Sequence, residues 1–432
     1  MTLSIENNKI RFKCPYSLDN IAKAKHIGMR WNKKDRLWEF GDNLVNRRSF
    51  RLTFPENAGA DINLKEQRAA ASSFKFLDPP AFLMEHQKHG YHQIQHRNRH
   101  LFAWQTGTGK TLLGLMAHRI VGGKTLVVCP LSIVDAAWKR DAQTFTPDCK
   151  VLNLWRLWQQ NRNKRKTTRD RNIGAAITAY DIIVVNFETF KIIKDYLDGQ
   201  ITTLIIDESS KIKSPKSQIT KALTRFAKNV EHTYLFSGTP APNGHIEYFT
   251  QVALLDPTVF GSSYYRFREQ YFSSDPMGFK WWLRPEMKPV FMEQLGKVMS
   301  VVNKEDVLDL PGKTDNVRDV ILSPAEKKAY KQMHDELIVE IEGENISAFN
   351  AAVKLMKLRQ VTSGFIMALE SVYEIGESKL NILIELIDEI GNHPVIIWTQ
   401  FHYEADQIAY KLGMDCQVID GRTPPGERDD II

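Results

Sequence analysis

The sequence is short of the features that hold small secreted or membrane-embedded proteins together. Only four cysteines occur in 432 residues, at Cys14, Cys129, Cys149 and Cys416, and no two form a CxxC pair. That spacing supports neither a disulfide framework nor a zinc site. No apolar run approaches the roughly 18 residues that a membrane-spanning helix needs. Residues 1–9 lack the charged-then-apolar design of a secretion signal, so a cytoplasmic location is expected. What is present is ordinary for a globular chain: 43% hydrophobic and 25% charged residues, which argues against disorder. This length predicts two or three domains, and the net charge of +7 favours a polyanionic partner.

The chain is organised around Gln105, Thr106, Gly107, Thr108, Gly109, Lys110 and Thr111, which follow an apolar run at 101–104. Glycines let successive backbone N–H groups turn inward on an anion, and the helix that follows adds the positive end of its dipole. In such a cradle Lys110 would reach the β- and γ-phosphates, and the Thr111 hydroxyl would hold Mg²⁺. The strict phosphate-loop pattern has glycine six residues before the lysine, where this chain has Trp104.

Short β-rich runs at 101–104, 125–129, 182–185, 204–206 and 234–236 have the texture of strands buried on both faces of a parallel sheet. An informative cluster follows each of them. Ligands of open α/β sheets bind beyond the carboxyl ends of the strands, so five clusters at five strand ends point to one crevice. Asp207 and Glu208 end the fourth run. Two adjacent carboxylates repel each other unless a cation is near; Asp207 would hold Mg²⁺ and Glu208 would orient and deprotonate the attacking water.

Together these motifs resemble a superfamily-two helicase motor of the Swi/Snf class, close to its bacterial and phage branch. The likeness runs from about Leu83 to the last residue. Gln87, 23 residues before Lys110, is similar to the adenine-reading glutamine; Asp207, Glu208, Ser209 and Ser210 stand where the class has DEAH or a variant. Ser237 and Thr239, in a Ser-Gly-Thr-Pro cluster, resemble the motif that couples hydrolysis to DNA grip. Residues 303–311, 357–360, 378–379 and 395–401 are similar to landmarks that separate this class from general helicases. The resemblance implies an α/β fold with a RecA-like P-loop lobe, a helical insertion and the start of a second RecA-like lobe. It also implies ATP and Mg²⁺ as cofactors, double-stranded DNA as partner, and DNA contacts at Pro130, Ser132, Trp138, Asn186, Thr399 and Gln400.

The organisation expected along the chain is an accessory module over 1–55, a linker over 56–75, a first lobe over 76–262, a helical insertion over 263–390 and an incomplete second lobe over 391–432. In the module, Trp31, Trp38 and Phe40 form a small core, or serve DNA binding together with Lys33, Lys34, Arg36, Arg47, Arg48 and Arg51. A buried strand is expected over 394–401. His92, His96 and His100 fall at one-face helical spacing, but no acid or thiol accompanies them and a metal site is not favoured. The basic run from Arg162 to Arg171 is a solvated loop or a phosphate contact.

The sequence stops about forty residues into the second lobe, before the arginine fingers that the class places there. Nucleotide binding with weak turnover is therefore the expectation. The favoured function is an ATP-dependent, DNA-stimulated motor that translocates on duplex DNA. The alternatives are a strand-separating or fork-remodelling helicase and a catalytically dead nucleic-acid-binding protein.

Overall fold

A computed structural model describes residues 2–6, 9–13, 17–27, 29–32, 35–41, 50, 53–54, 77–342, 348–368, 371–413, 416–424, 427–428 and 431. The expected linker over 56–75 lies outside them, as do Lys33, Lys34, Arg47, Arg48 and Arg51. The chain divides into two compact units, Met1–Leu310 and Pro311–Ile432.

The first unit opens with a small antiparallel sheet. Strands β1 (Thr2–Glu6), β2 (Lys9–Lys13), β3 (Arg30–Asn32) and β4 (Leu37–Gly41) lie in the order β1-β2-β4-β3, with helix α1 (Leu18–His26) between β2 and β3 in sequence. Ser17 caps α1 by accepting from the Asn20 N–H at 3.0 Å. Alternation along β2 sends Ile10 and Phe12 inward, where Phe12 meets Phe50 and Phe54 at 4.9 Å each. Trp38 and Phe40 join this core, and Trp31, 48% exposed at its rim, meets the Trp38 ring edge-on with ring centres 5.4 Å apart. On the outer face Lys9 pairs with Glu39 at 2.9 Å.

A seven-stranded parallel sheet forms the body of the unit. It contains β5 (Arg99–Trp104), β6 (Thr125–Cys129), β7 (Val151–Asn153), β8 (Ile182–Asn186), β9 (Thr203–Asp207), β10 (His232–Phe236) and β13 (Met299–Val302), ordered β13-β5-β10-β9-β6-β8-β7. Every residue of β5, β6, β9 and β10 is buried, as strands covered on both faces require. Helices α2 (Glu85–His96) and α3 (Lys110–Val121) pack together on one face with Phe102, Trp104, Tyr234 and Phe236 beneath them. Phe190, Leu223 and Phe267 belong to the core on the other face.

The five runs predicted as strands are all strands. β7 and β13 are the additional ones, and β13 lies in the stretch read as helical insertion: the sheet continues past residue 262. His100 is not on a helix with His92 and His96, because α2 ends at His96 and His100 lies within β5. The antiparallel hairpin β11 (Phe272–Ser274) and β12 (Trp281–Leu283) also interrupts that stretch.

The second unit contains helices Pro324–Glu342, Ala348–Thr362, Ser378–Ile390 and His402–Leu412 and a hairpin of β14 (Phe365–Ala368) with β15 (Ser371–Glu374). The strand expected over 394–401 does not form: that segment pairs with no strand among the described residues, and Ile396 and Trp398 are exposed. An apolar run becomes a buried strand only when neighbours cover its faces and satisfy its backbone.

Candidate nucleotide site

The carboxyl ends of β5, β9 and β10 meet at one crevice. β5 ends at Trp104 and the chain turns through five residues before α3 begins at Lys110. Gly107 (φ 91°) and Gly109 (φ 83°) adopt the left-handed backbone that glycine tolerates. A Cβ on Gly109 would also fall 2.2 Å from Gln87 Nε2. Trp104, at the position where the strict pattern has glycine, is outside the turn. It closes the strand, fully buried, and its ring lies where a Cβ on Gly90 would come within 2.6 Å, so a glycine in α2 gives it room.

Lys110 Nζ donates to the carbonyls of Trp104 at 2.9 Å and Gln105 at 3.1 Å. Burial pushes its pKa down, while the negative charges of Asp207 and Glu208 oppose the shift. Asp207 ends β9, 6% exposed. Its Oδ2 accepts from the Trp138 indole N–H at 3.0 Å and its Oδ1 from the Glu208 N–H at 3.0 Å. Burial raises its pKa above the usual aspartate range against the pull of Trp138 and Lys110.

Trp138 was expected to touch DNA; the structure puts it elsewhere. It projects from a π-helical turn, Val134–Lys139, and is 1% exposed beneath α3. Gly114 makes this possible, since a Cβ there would lie 2.5 Å from the indole ring. Extra-wide helical turns often occur at functional sites, and this one delivers a hydrogen-bond donor to a buried carboxylate.

Glu208 takes a left-handed backbone, φ 62°, uncommon for a residue with a Cβ. Such a conformation costs about 1–3 kcal/mol and persists where surrounding bonds dictate it. Glu208 Oε1 accepts from Ser237 Oγ at 3.0 Å and from Ser210 Oγ. Ser237 Oγ in turn accepts from the Thr239 N–H at 3.2 Å. A continuous relay thus joins the end of β10 to the acid after β9.

On the other side of the loop, Gln87 Nε2 donates to Thr108 O at 3.2 Å and Gln87 Oε1 accepts from the Met84 N–H at 3.0 Å. His86 Nε2 donates to the same carbonyl at 2.8 Å, which fixes its tautomer. Gln87, expected to read adenine, here ties α2 to the phosphate loop. A cavity of about 510 Å³ opens beside it, lined by Phe82, Gln87, Lys110, Thr111, Phe145 and Asp207 among others. Phe82 and Phe145 stack at 5.8 Å and 28°. Sequence reasoning missed both rings, because nothing local says that residues 63 apart face each other.

Pro130 and the exposed Ser132 follow β6, and Asn186 ends β8 with its buried Oδ1 lacking a hydrogen-bond partner among the described residues. Thr399 and Gln400 lie in the second unit, exposed, where Gln400 Oε1 accepts from Arg359 at 3.3 Å.

The SNF2-related domain model matches residues 22–365. The chain belongs to the SNF2-related family. It is thus a helicase-like, superfamily-two ATPase of the Swi/Snf class, as the motif resemblance implied. The match includes the phosphate loop, the Asp207–Glu208 strand end and the Ser237 cluster. This SNF2-related chain is 26% identical over 325 residues to putative protein p41 of Acyrthosiphon pisum secondary endosymbiont phage 1, covering 69% of this chain and 67% of the phage protein. It is 29% identical over 222 residues to the Caenorhabditis elegans homolog of SWI/SNF-related matrix-associated actin-dependent regulator of chromatin subfamily A-like protein 1, covering 50% of this chain and 30% of that protein. To the Drosophila melanogaster helicase domino it is 25% identical over 320 residues, covering 69% of this chain and 10% of the relative. The chain therefore spans less than a third of these two animal SNF2-related proteins. The Sulfolobus solfataricus SWI2/SNF2 ATPase core in complex with dsDNA aligns with a TM-score of 0.45 at 22% identity, over 83% of this chain and 77% of that one.

Proposed function

We propose that this chain is an ATP-driven motor that tracks along duplex DNA, hydrolysing ATP at the crevice between β5, β9 and β10. The observation that carries the reading is the relay from Thr239 through Ser237 to Glu208. A phosphate loop alone would suit many nucleotide-binding proteins. A loop whose catalytic acid is hydrogen-bonded to the next strand's terminal serine has a route by which hydrolysis and grip can influence one another.

The residues present fit Mg-ATP. The cavity of about 510 Å³ lies in the range of small-molecule sites; it has an ammonium and a buried carboxylate at one side and two stacked phenyl rings at another. Thr111 and Asp207 would hold Mg²⁺, which when bound neutralises charge on the transferring phosphoryl group. Lys110, now bonded to the carbonyls of Trp104 at the end of β5 and Gln105 in the loop, could turn its ammonium to the phosphates. The N–H groups of the loop and of the start of α3 add their partial positive charge. Glu208 Oε1 is engaged by two serine hydroxyls, which leaves Oε2 to take a proton from the attacking water.

DNA-stimulated turnover, translocation on duplex DNA, contacts through Pro130, Ser132, Asn186, Thr399 and Gln400, and a cytoplasmic location belong to the same proposal. So does the division into a module over 1–55, a linker over 56–75, a first lobe over 76–262 that also takes β13, an insertion over 263–390 and a second-lobe segment over 391–432. Among the described residues no helix is long and apolar enough to cross a membrane. The test is phosphate release with and without duplex DNA, paired with triplex displacement. DNA-stimulated hydrolysis with third-strand displacement and no duplex unwinding supports the reading. Hydrolysis indifferent to DNA, or unwinding of blunt duplex, overturns it.

A further inference from the structure

The hairpin of β11 and β12 carries an exposed apolar tip. Met277 is 78% exposed and Phe279 is 80% exposed, and Trp282, on the outer side of β12, is 50% exposed. Solvent-facing rings grouped this way are unfavourable unless something covers them. The tip is nonetheless held in a defined shape. Asp275 N–H donates to Lys280 O at 3.1 Å, Gly278 N–H to Asp275 O at 2.9 Å, and the Trp281 indole to Gly278 O at 3.0 Å. Gly278 takes the left-handed backbone that the turn demands (φ 72°).

The base is equally fixed. The Arg268 guanidinium lies 4.0 Å from the Trp281 ring centre and 5.5 Å from that of Tyr265, within cation–π range. Arg284 donates to Glu269 O at 2.9 Å and to Ser273 Oγ at 3.3 Å. β12 packs against the short helix His245–Glu247, which follows the Ser237 cluster by a few residues. A rigid hairpin is thus seated on the segment that leaves the nucleotide site.

Charge indicates the occupant. Residues 264–288 hold five cations against three carboxylates. Arg266, Lys280 and Lys288 are exposed and form no ion pair among the described residues. Rings beside unpaired cations match a strand that offers base faces and phosphates together.

We propose that the hairpin 272–283 is a base-stacking element for unpaired DNA, with Phe279 and Met277 against exposed bases and Arg266, Lys280 and Lys288 on the flanking phosphates. This rests on the reading of the chain as a DNA motor and adds that the motor engages junctions or distorted DNA, beyond uniform duplex.

The test is fluorescence anisotropy of the full chain with a fluorescein-labelled single strand, a forked duplex and a blunt duplex of equal length. Phe279→Ala should weaken binding to the single strand and the fork by about tenfold while leaving blunt duplex within twofold. Phe279→Trp should restore it, and an unchanged melting temperature excludes misfolding. Lys280→Gln with Lys288→Gln should weaken binding to all three DNAs and reduce its salt dependence. Wild-type binding of DNA that is insensitive to Phe279→Ala overturns this proposal alone, and the same result with loss of self-association in sedimentation assigns the tip to a protein contact. Failure of the wild type to bind any of the three overturns both this proposal and the motor reading.

Discussion

Ser237 Oγ donates to Glu208 Oε1 at 3.0 Å, joining the residue just after β10 to the acid just after β9. Parallel neighbours in the sheet, with Phe236 opposite Asp207 in register, bring two motifs 29 residues apart into one hydrogen-bonded unit. Glu208→Gln should keep nucleotide affinity and lower turnover by about 10²–10⁴, the usual worth of a positioned general base. Ser237→Ala should cost less in basal rate but more in stimulation by DNA. Phosphate release and binding of a fluorescent ATP analogue separate the two effects; full activity in Glu208→Gln would remove Glu208 from the mechanism.

Asp207 gives a pH dependence. Burial holds its carboxyl above the ordinary 3.8, so it takes up a proton earlier than an exposed aspartate as the solution is acidified. Its contribution to folding is fullest below 3.8 and is lost as pH rises through the raised value. The proposed cation binding at Asp207 would run the other way, because it needs the carboxylate. Trp138→Phe removes a donor that lowers the pKa, and the midpoint for loss of Mg-dependent nucleotide binding should move to higher pH. A midpoint that stays put or falls would show that the indole does not govern Asp207.

Gly114 tests the packing behind that bond. In an exposed helix Gly→Ala is worth roughly 1 kcal/mol of added stability. Here the new methyl would meet the Trp138 ring at 2.5 Å, and overpacking costs about 1–3 kcal/mol. The clash should win: Gly114→Ala is expected to lower the melting temperature and weaken Mg-dependent nucleotide binding. A rise in melting temperature would mean that the indole can move aside freely.

Two buried histidines set acid sensitivity. Burial holds His100 at about 3 and His232 at about 4, both below the ordinary 6.5. Their neutral forms contribute stability that is complete above 6.5 and lost as pH falls toward the folded values, by about 1.4 kcal/mol per pH unit for each group. Urea unfolding at pH 7, 6 and 5 should show stability decreasing below pH 6.5. A flat profile over that range would count against both neutral burials.

The five central strands and the residues at their ends were legible because burial on both faces leaves continuous apolar runs, and the chemistry sits where those runs stop. β7 and β13 were not, being three- and four-residue edge strands whose pattern is too short to distinguish from its surroundings. His100 misled through spacing alone: i, i+4 and i+8 agree with a helix, but α2 stops at His96 and the strand takes over. The segment 394–401 has strand composition without strand partners among the described residues, and composition cannot report a partner. Trp138 was assigned to DNA by its motif. Its burial depends on Gly114, a glycine inside a helix, which the sequence displays without saying which ring fills the space.

That indole gives the site an optical reporter of its own. Of nine tryptophans, Trp138 donates to the Asp207 carboxylate from a position almost closed to water. Indole emission responds to the electric field along the ring, so a cation drawn to Asp207, or a proton taken up there, alters the light emitted from beneath α3. A label-free titration can therefore follow what happens at the proposed nucleotide site from inside the fold.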